Sequence, residues 1–388
     1  MPANIAFYSD ALTSGRYGLG RYAGELLRAL QRHAGQVSVR PVSAHVSLGA
    51  EELQSLKQDH GYKRLPLPRK IIAGLWSKVN WPRLEQFAPW ADVVHCVELD
   101  YRVATRKPVI VTIHDLGPLT HPQFFRASHP WLLARALQWA ADEAAAIICV
   151  SRTTAMEVEE HLGFRLGERL TVVPEGVGGE FSAPVGDECL AKTGEFVRQG
   201  TPFFLWSGSV NPRKNLPRVI AAFERVAAGV PHHLVLTGGL GWDAEETLRR
   251  VLASRFGDRI HLPGRVSDAE LRGLYQRADG FVFASLMEGF GLPILEAMAC
   301  GCPVITSDIS SMPEVAGDAA LMVDPTDADE IAGALRRVAT DPALRQTLAT
   351  KGRARAAQFR WDTCAAAVAG IYERVSQTGS ASRLPLAA

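Results

Sequence analysis

Short apolar runs recur along the chain and alternate with segments of helical length. Runs of strand length occur at residues 4–8, 109–113, 202–207 and 280–284. Each run is followed by a turn and a segment with helical character. This order predicts parallel strands that are joined by crossover helices. The pattern therefore predicts an α/β fold.

The same pattern repeats over most of the chain and predicts two domains. Further strands are predicted at residues 93–97, 145–150, 170–173, 234–237, 259–262, 303–307 and 320–323. Helices are predicted at about residues 21–32, 131–144, 327–338, 342–349 and 361–375, and Ser151 is expected to cap another. Because 388 residues exceed one ordinary core, we predict domains at 1–185 and 186–360. A linker is expected near 181–196, and residues 361–388 form a last helix and tail.

Composition and charge exclude several classes of protein. A net charge of +1 argues against nucleic acid as a main partner, because binding to phosphate backbones requires a strong basic excess. The six cysteines are scattered and mostly lie in apolar runs, so we expect reduced, buried thiols in a cytoplasmic protein. The chain enters its first strand without a signal-peptide pattern. The sequence also contains no run of about twenty apolar residues, the length needed to span a membrane.

The stretch 285–306 carries the strongest chemical pattern. Gly289 and Gly291 form a turn after the strand 280–284, and Pro293 opens a helix that Gly301 closes. The turn lies at the carboxyl end of a strand, where open α/β sheets bind ligands. Its free backbone amides and the positive N-terminal end of the helix favour the binding of a phosphate.

Two acids bracket this turn. Glu288 lies on it, and Glu296 lies eight positions later, on the predicted first turn of the helix. Carboxylates beside a phosphate site are suited to accept hydrogen bonds from sugar or ribose hydroxyls. For one acid alone, complementing the helix dipole or simple solvation is the better explanation. For the pair around the glycines, we favour a binding site.

Two other strand ends carry polar groups. Arg213 and Lys214 follow the strand 202–207 at the start of a helix. Cations there oppose the helix dipole, so helix stability does not explain them, whereas a bound diphosphate would. His114 follows the strand 109–113, and this position favours an active-site role over a structural one. No metal is expected, and the two cations are expected to replace one.

At these residues the chain resembles the retaining glycosyltransferases of family 4, which have the two-domain GT-B fold. The resemblance covers most of the chain. The resemblance rests on the Glu-x7-Glu pair, Glu288 and Glu296, and on the cations Arg213 and Lys214. It implies two Rossmann-like domains that face each other across a cleft. The substrate that donates the sugar, a nucleotide-sugar, is implied to be held mainly by the second domain. It also implies that the last helix returns to the first domain.

The resemblance further implies roles for individual residues. Catalytic roles fall to Glu288, facing the sugar, to His114, reaching the donor sugar, and to Arg213 and Lys214, binding the diphosphate. Glu296 is implied to hold the ribose hydroxyls. The remaining donor contacts are implied at Gly289, Phe290, Gly291, Leu292, Gly18, Gly20 and Val266. The family more often has Asn and Asp where this chain has Glu175 and Gly178.

The glycines near the N-terminus give a weak signal by themselves. Gly15, Gly18 and Gly20 are predicted to lie in a loop before the helix at about residue 21. Their spacing is not that of a dinucleotide fingerprint, and no acid follows near residues 37–45 to take a ribose. Such a loop can still bring amides close to a phosphate or a sugar.

The implied reaction is retaining transfer of a hexose from a nucleotide diphosphate sugar to a saccharide or lipid-linked acceptor in polysaccharide or glycolipid biosynthesis. No metal and no further cofactor are expected. Mannose from GDP-mannose is favoured, because residues 212–215 and 288–293 resemble those of bacterial mannosyltransferases, and UDP-sugars remain open. The alternatives are a nucleotide-sugar 2-epimerase, a glycoside hydrolase with two carboxylates about 5–10 Å apart, and a non-catalytic sugar-binding protein.

Residues 61–84 contain six basic residues and no acid. Five apolar residues are predicted to share one helical face, namely Ile71, Ile72, Leu75, Trp76 and Val79. One interpretation is a surface helix that packs on its own domain. The other is a basic amphipathic contact with an anionic membrane or a lipid-diphosphate acceptor, which would put the protein at the inner face of the membrane.

Overall fold

A computed structural model describes residues 2–14, 17–32, 37–125, 130–190, 197, 199–241 and 244–378. Gly15, residues 191–196 of the predicted linker and the predicted tail 379–388 lie outside the described residues. The chain divides into two compact units. The first unit comprises residues 1–122, 127–175 and 361–388, and the second comprises residues 123–126 and 176–360.

The first unit contains a parallel sheet. Its strands are β1 (Ala3–Tyr8), β2 (Val37–Ser43), β3 (Lys63–Arg64), β4 (Val93–Cys96), β5 (Val109–Ile113), β6 (Ala146–Cys149) and β7 (Leu170–Val172). The order in the described sheet is β3-β2-β1-β4-β5-β6-β7, and every strand pair is parallel. Its helices before residue 175 are α1 (Tyr17–Arg32), α2 (Ala50–His60), α3 (Arg69–Val79), α4 (Gly117–Thr120), α5 (Pro130–Glu143) and α6 (Arg152–Leu162).

The second unit repeats this plan. Its strands are β8 (Phe203–Ser207), β9 (His233–Thr237), β10 (Ile260–Gly264), β11 (Gly280–Phe283), β12 (Val304–Ser307) and β13 (Ala320–Val323). The order is β10-β9-β8-β11-β12-β13, again with parallel pairs. Its helices are α7 (Leu216–Ala227), α8 (Ala244–Ala253), α9 (Asp268–Arg277), α10 (Leu292–Ala299), α11 (Met312–Ala316), α12 (Ala328–Thr340) and α13 (Pro342–Ala356). The last helix, α14 (Trp361–Thr378), belongs to the first unit.

Both sheets are covered on their two faces, which explains the apolar runs in the sequence. All residues of β4, β5, β11 and β12 are buried. Central strands of a parallel sheet are apolar on both sides, because helices pack on each face. The predicted α/β architecture with two Rossmann-like domains is therefore confirmed.

A buried carboxylate joins the strand ends of the first unit. Asp10 follows β1, and its Oδ1 accepts hydrogen bonds from the amides of Ala44 (2.9 Å) and His45 (3.0 Å) after β2. Its Oδ2 accepts from the Tyr101 hydroxyl (2.7 Å) and from Arg69 Nε (3.0 Å) on α3. Arg69 also donates to Asp100. One acid thus ties α3 to the carboxyl edge of the sheet.

Glycines allow the loops at the carboxyl edge of the second sheet to meet. Gly208 and Gly238 follow β8 and β9, and a Cβ atom on Gly238 would lie 1.7 Å from the Gly208 carbonyl oxygen. Gly238 also has a φ of +135°, which side chains disfavour. Its amide donates to the Gly264 carbonyl at the end of β10, at 2.9 Å. Only glycine at position 238 permits this approach of three loops.

Several predicted element boundaries are wrong. Helix α1 begins at Tyr17, so Gly18 and Gly20 lie in its first turns and not in a preceding loop. Tyr22 in α1 is fully buried, and such packing overrides the low helix propensity of glycine. Helix α10 begins at Leu292, one residue before the predicted start at Pro293, so Glu296 is its fifth residue. Strand β2 was not predicted, because Arg40 and Pro41 interrupt its apolar run.

Candidate functional site

The strand order of the second unit creates a crevice between β8 and β11. The chain runs from β8 outward through β9 to β10 and then returns to β11 on the other side of β8. In open α/β sheets, ligands bind at such a reversal, beyond the carboxyl ends of the strands. Arg213 and Lys214 follow β8, and Glu288 follows β11. The fold therefore brings three predicted site residues to this crevice.

These three residues form a compact ion cluster. Glu288 Oε2 accepts from Arg213 Nη1 at 2.5 Å, and Glu288 Oε1 accepts from Lys214 Nζ at 2.6 Å. Glu288 and Lys214 are each only 7% exposed. The Lys214 ammonium also lies 4.5 Å from the centre of the Phe283 ring. The sequence argument explained the two cations by a bound diphosphate; the structure adds Glu288, which binds both.

The cluster keeps Glu288 ionised. Burial by itself raises the pKa of a carboxyl group, but the charges of Arg213 and Lys214 and their hydrogen bonds outweigh it. The pKa of Glu288 is consequently lowered from 4.5 to about 2. At neutral pH the site contains two cations and one anion, so its net charge is positive and can still attract an anionic ligand.

Two serines that the sequence reasoning missed hold the loop of Glu288. Ser311 Oγ donates to the carbonyl oxygens of Glu288 (3.0 Å) and Phe290 (2.8 Å). Ser310 Oγ donates to the same Glu288 carbonyl at 2.8 Å. Both serines follow β12, next to β11 in the sheet. Their position just after an apolar run was the available signal.

The predicted phosphate-binding turn leads from Glu288 into α10. Gly291 has a φ of +112° and precedes Leu292, the first residue of α10, and Pro293 occupies its first turn. The first amides of a helix have no partner within it. Gly289, Phe290, Gly291 and Leu292 are thus placed by the chain directly beside Glu288, at a helix N-terminus.

Glu296 and Val266 occupy different places in the second unit. Glu296 lies one turn into α10 and is 6% exposed, and the Tyr275 hydroxyl donates to its Oε2 at 3.5 Å. Val266 is buried and follows β10, on the other side of β9 from β8. Their contacts with the donor remain predictions.

The remaining site residues lie in the first unit. Gly18 and Gly20 belong to the start of α1. His114 follows β5, and its main-chain carbonyl accepts from Thr154 Oγ1 at 3.0 Å. The imidazole Nε2 lies 3.0 Å from the Val97 carbonyl oxygen, and Nδ1 lies 3.4 Å from Glu175 Oε1. Glu175 is one of the two residues, with Gly178, at which the chain departs from the family pattern.

Helix α3 only partly agrees with the prediction for residues 61–84. Ile72 and Trp76 are fully buried, as expected for packing on the helix's own domain, but Ile71 and Val79 are 52% and 60% exposed. The five apolar residues therefore do not share one buried face. Trp81, just beyond α3, is 57% exposed. In the described part of the chain, no helix combines the length and the apolar character needed to cross a bilayer.

Comparisons with known proteins agree with this architecture. The profile of the family described as Glycosyltransferase Family 4 matches residues 17–179, and that of Glycosyl transferases group 1 matches residues 192–355. The chain is 26% identical over 378 residues to the O-antigen chain mannosyltransferase B of Escherichia coli, covering 95% of this chain and 99% of that protein.

Two further similarities concern part of a longer protein and a solved structure. Over 279 residues the chain is 30% identical to the serotype-specific mannosyltransferase WbdA of Escherichia coli, which covers 69% of this chain and 34% of that protein. A crystal structure of Anabaena Alr3699/HepE in complex with UDP and glucose has a TM-score of 0.74 and 17% identity. That similarity covers 96% of this chain and 100% of the other.

Proposed function

This chain belongs to family 4 of the glycosyltransferases with the GT-B fold, and we propose that it transfers mannose from GDP-mannose to a hydroxyl of a saccharide or lipid-linked acceptor, with retention of configuration. The predicted family is confirmed by two profiles that together match residues 17–179 and 192–355. Glycosyltransferase activity follows from that membership. Mannose is supported by two relatives named as mannosyltransferases, at 26% and 30% identity.

The observation that carries the proposal is the ion cluster between β8 and β11. Arg213 and Lys214 would bind the donor diphosphate, which gains negative charge as the bond to the sugar breaks. Fixed cations in a buried site stabilise such charge strongly, because they need no reorganisation during the reaction. Glu288 would turn its carboxylate toward the hydroxyls of the sugar. The two cations would also take the role that a metal has in other transferases.

Retention without an enzymic nucleophile fits a reaction on one face of the sugar. In that route the leaving phosphate accepts the proton of the acceptor hydroxyl while the new bond forms. A donor with a different base stays open, because a protein of the same fold was crystallised with UDP and glucose. The epimerase, hydrolase and binding-protein alternatives lose support, since the matching profiles and the relatives named above are glycosyltransferases.

The donor can be tested by thermal unfolding of the full chain with single nucleotide-sugars. A ligand at about 100 times its Kd stabilises a protein by about 2.7 kcal/mol, so a true donor should raise Tm clearly. We expect the largest rise with GDP-mannose and smaller ones with UDP-glucose and UDP-galactose. Release of GDP on addition of mannose oligosaccharides would then test transfer. A larger rise with a UDP-sugar would overturn the choice of base, and no rise with any donor would overturn the proposal.

Glu296→Ala is expected to weaken nucleotide binding more than it lowers kcat. Hydrogen bonds to charged groups contribute about 1.5–3 kcal/mol, which corresponds to a roughly 10- to 150-fold higher Kd. A ribose contact is nearly the same in the ground and transition states, so kcat should change little. Calorimetric titration with GDP measures the effect, and the exposed Glu330→Ala in the same unit is the control. Equal affinity of the Glu296 variant and wild type would contradict the ribose assignment.

We also propose that residues 61–84 contact anionic lipid. Ile71, Val79 and Trp81 are exposed in this basic segment, and surface cations contribute about 1 kcal/mol each near an anionic membrane. Arg69 is excluded from this role, because it binds Asp10 and Asp100. Such a contact would place a cytoplasmic enzyme at the inner face of the membrane, next to a lipid-linked acceptor.

Changing four cations of this segment to glutamine should reduce binding to anionic vesicles steeply. The four are Lys63, Arg64, Lys70 and Lys78. Co-sedimentation with phosphatidylglycerol vesicles at low and high salt measures the effect, because salt screens such contacts. The control changes four exposed cations of the second unit, namely Arg249, Arg336, Arg337 and Lys351. If wild type does not sediment even at low salt, the membrane contact is wrong.

A further inference from the structure

Both ring nitrogens of His114 face hydrogen-bond acceptors within the first unit. Nε2 lies 3.0 Å from the main-chain carbonyl oxygen of Val97, which follows β4. A carbonyl oxygen can only accept, so Nε2 must carry a hydrogen. Nδ1 lies 3.4 Å from Oε1 of Glu175, and an ionised carboxylate also only accepts. The geometry therefore favours a ring with hydrogens on both nitrogens.

The surroundings prevent the ring from turning to another partner. The His114 and Glu175 side chains are only 12% and 6% exposed. The Tyr22 ring packs edge-to-face on the imidazole, with 4.6 Å between centroids and an interplanar angle of 87°. The main-chain carbonyl of His114 is held by Thr154. Helices α1 and α6 thus fix the residue from two sides, and Glu175 supplies its acidic partner.

We propose that Glu175 is a positioning residue that keeps His114 doubly protonated, so that His114 acts as a fixed cation and never as a base. This inference rests on the proposed transferase function, in which His114 has a catalytic role. A doubly protonated imidazole has no lone pair to accept a proton. The proton of the acceptor hydroxyl must then go to another group, which agrees with the leaving phosphate as its acceptor.

The other titratable groups near His114 support the same charge state. Burial lowers the pKa of His114, but the hydrogen bond and charge of Glu175, the Val97 carbonyl and the charge of Glu98 raise it, and the net shift is upward. His95 remains neutral, because burial and the positive His114 lower its pKa to about 3. The charge on His114 is therefore complete at low pH and is lost as pH rises through its raised pKa.

The identity of residue 175 is what makes this arrangement particular to the chain. The resembled family more often has asparagine there, which is shorter and uncharged. Glu175 lies just after the end of β7. Its charge adds to burial in raising the pKa of the Cys364 thiol on α14. Replacing Glu175 with glutamine thus removes a buried charge that lies beside His114.

The test measures the protonation of the ring directly by NMR on the full-length protein with ¹⁵N-labelled histidine. Long-range ¹H–¹⁵N spectra distinguish a doubly protonated ring from each neutral tautomer. The spectrum of His114→Asn identifies the signal among the 11 histidines. Spectra are recorded between pH 5.5 and pH 9 for wild type, Glu175→Gln, and the exposed control Glu168→Gln from the same unit.

We expect wild-type His114 and the Glu168 variant to stay doubly protonated at pH 7. In Glu175→Gln the midpoint should fall by about one pH unit or more, leaving the neutral Nε2–H tautomer held by Val97. A neutral His114 in wild type at pH 7, or an unchanged midpoint in Glu175→Gln, would overturn the inference. A neutral His114 in the wild-type spectrum overturns the inference even if Glu175→Gln does not fold.

An activity measurement separates this inference from the proposed function. With the best donor from the thermal screen, kcat of wild type should fall as pH rises through the His114 midpoint, and that fall should move to lower pH in Glu175→Gln. A kcat that rises through this midpoint would identify His114 as a base and overturn the inference. Absence of transfer with every donor would overturn the proposed function alone, because the NMR result does not depend on turnover.

Discussion

Replacing Lys214 with alanine is expected to slow sugar transfer by about two to three orders of magnitude. Its ammonium is buried and lies 2.6 Å from Glu288, in the crevice where the donor diphosphate would bind. Removing one preorganised donor to a developing negative charge costs about 3–4 kcal/mol in comparable sites. Arg213→Ala should have a similar effect. Single-turnover measurements at saturating donor report it without a contribution from product release.

Stability must be separated from catalysis in this experiment. Arg225→Ala removes an exposed cation from α7 and should leave transfer unchanged. The double variant Lys214→Met with Glu288→Gln restores the net charge of the cluster, so it should recover stability but not turnover. Normal rates in both Lys214→Ala and Arg213→Ala would exclude the two cations from the reaction.

Glu288→Gln is expected to destabilise the second unit by about 3–5 kcal/mol at neutral pH, because it leaves two cations near a buried site without their counter-charge. It should also reduce turnover, since Glu288 is the proposed contact to the reacting sugar. Urea unfolding of the full chain, followed by pulsed hydrogen exchange on peptides from β8 and β11, reports the second unit specifically. Glu330→Gln, at an exposed position in the same unit, is the control.

The pH dependence provides an independent signature of the same cluster. The folded pKa of Glu288 is lowered from 4.5 to about 2, so its stabilisation is complete above about pH 5 and is lost as pH falls toward 2. The shift corresponds to about 3 kcal/mol. Stability of the second unit should fall over this range in wild type and be flatter in Glu288→Gln. Identical pH profiles in the two proteins would show that the ion cluster does not form in solution.

Much of the candidate site could be predicted because it follows apolar runs. Arg213, Lys214, Glu288 and His114 all lie in the segments that follow strands, and parallel strands place such residues at one edge of a sheet. The direct pairing of Glu288 with both cations could not be predicted. It depends on β11 lying next to β8, and strand order is a property of tertiary packing that no local pattern records.

The errors have a similar physical origin. Glycine content suggested a loop at Gly18 and Gly20, but the burial of Tyr22 extends the helix over them. The spacing of apolar residues predicts one buried face for α3, but of the five residues only Ile72 and Trp76 are fully buried. Glu175 differs from the family pattern, but its proximity to His114 could not be predicted because it arises only in the folded chain.

The carboxylate of Glu288 also has a consequence for the end of the catalytic cycle. A nucleoside diphosphate carries more negative charge than the nucleotide-sugar from which it forms. Two uncompensated cations would therefore retain this product much more tightly than the substrate, and the enzyme would be readily inhibited by it. Glu288 offers both cations an internal partner at 2.5 and 2.6 Å, to which they can return when the product leaves. Under the proposed function, the acid that holds the site together between turnovers would thus also limit product inhibition.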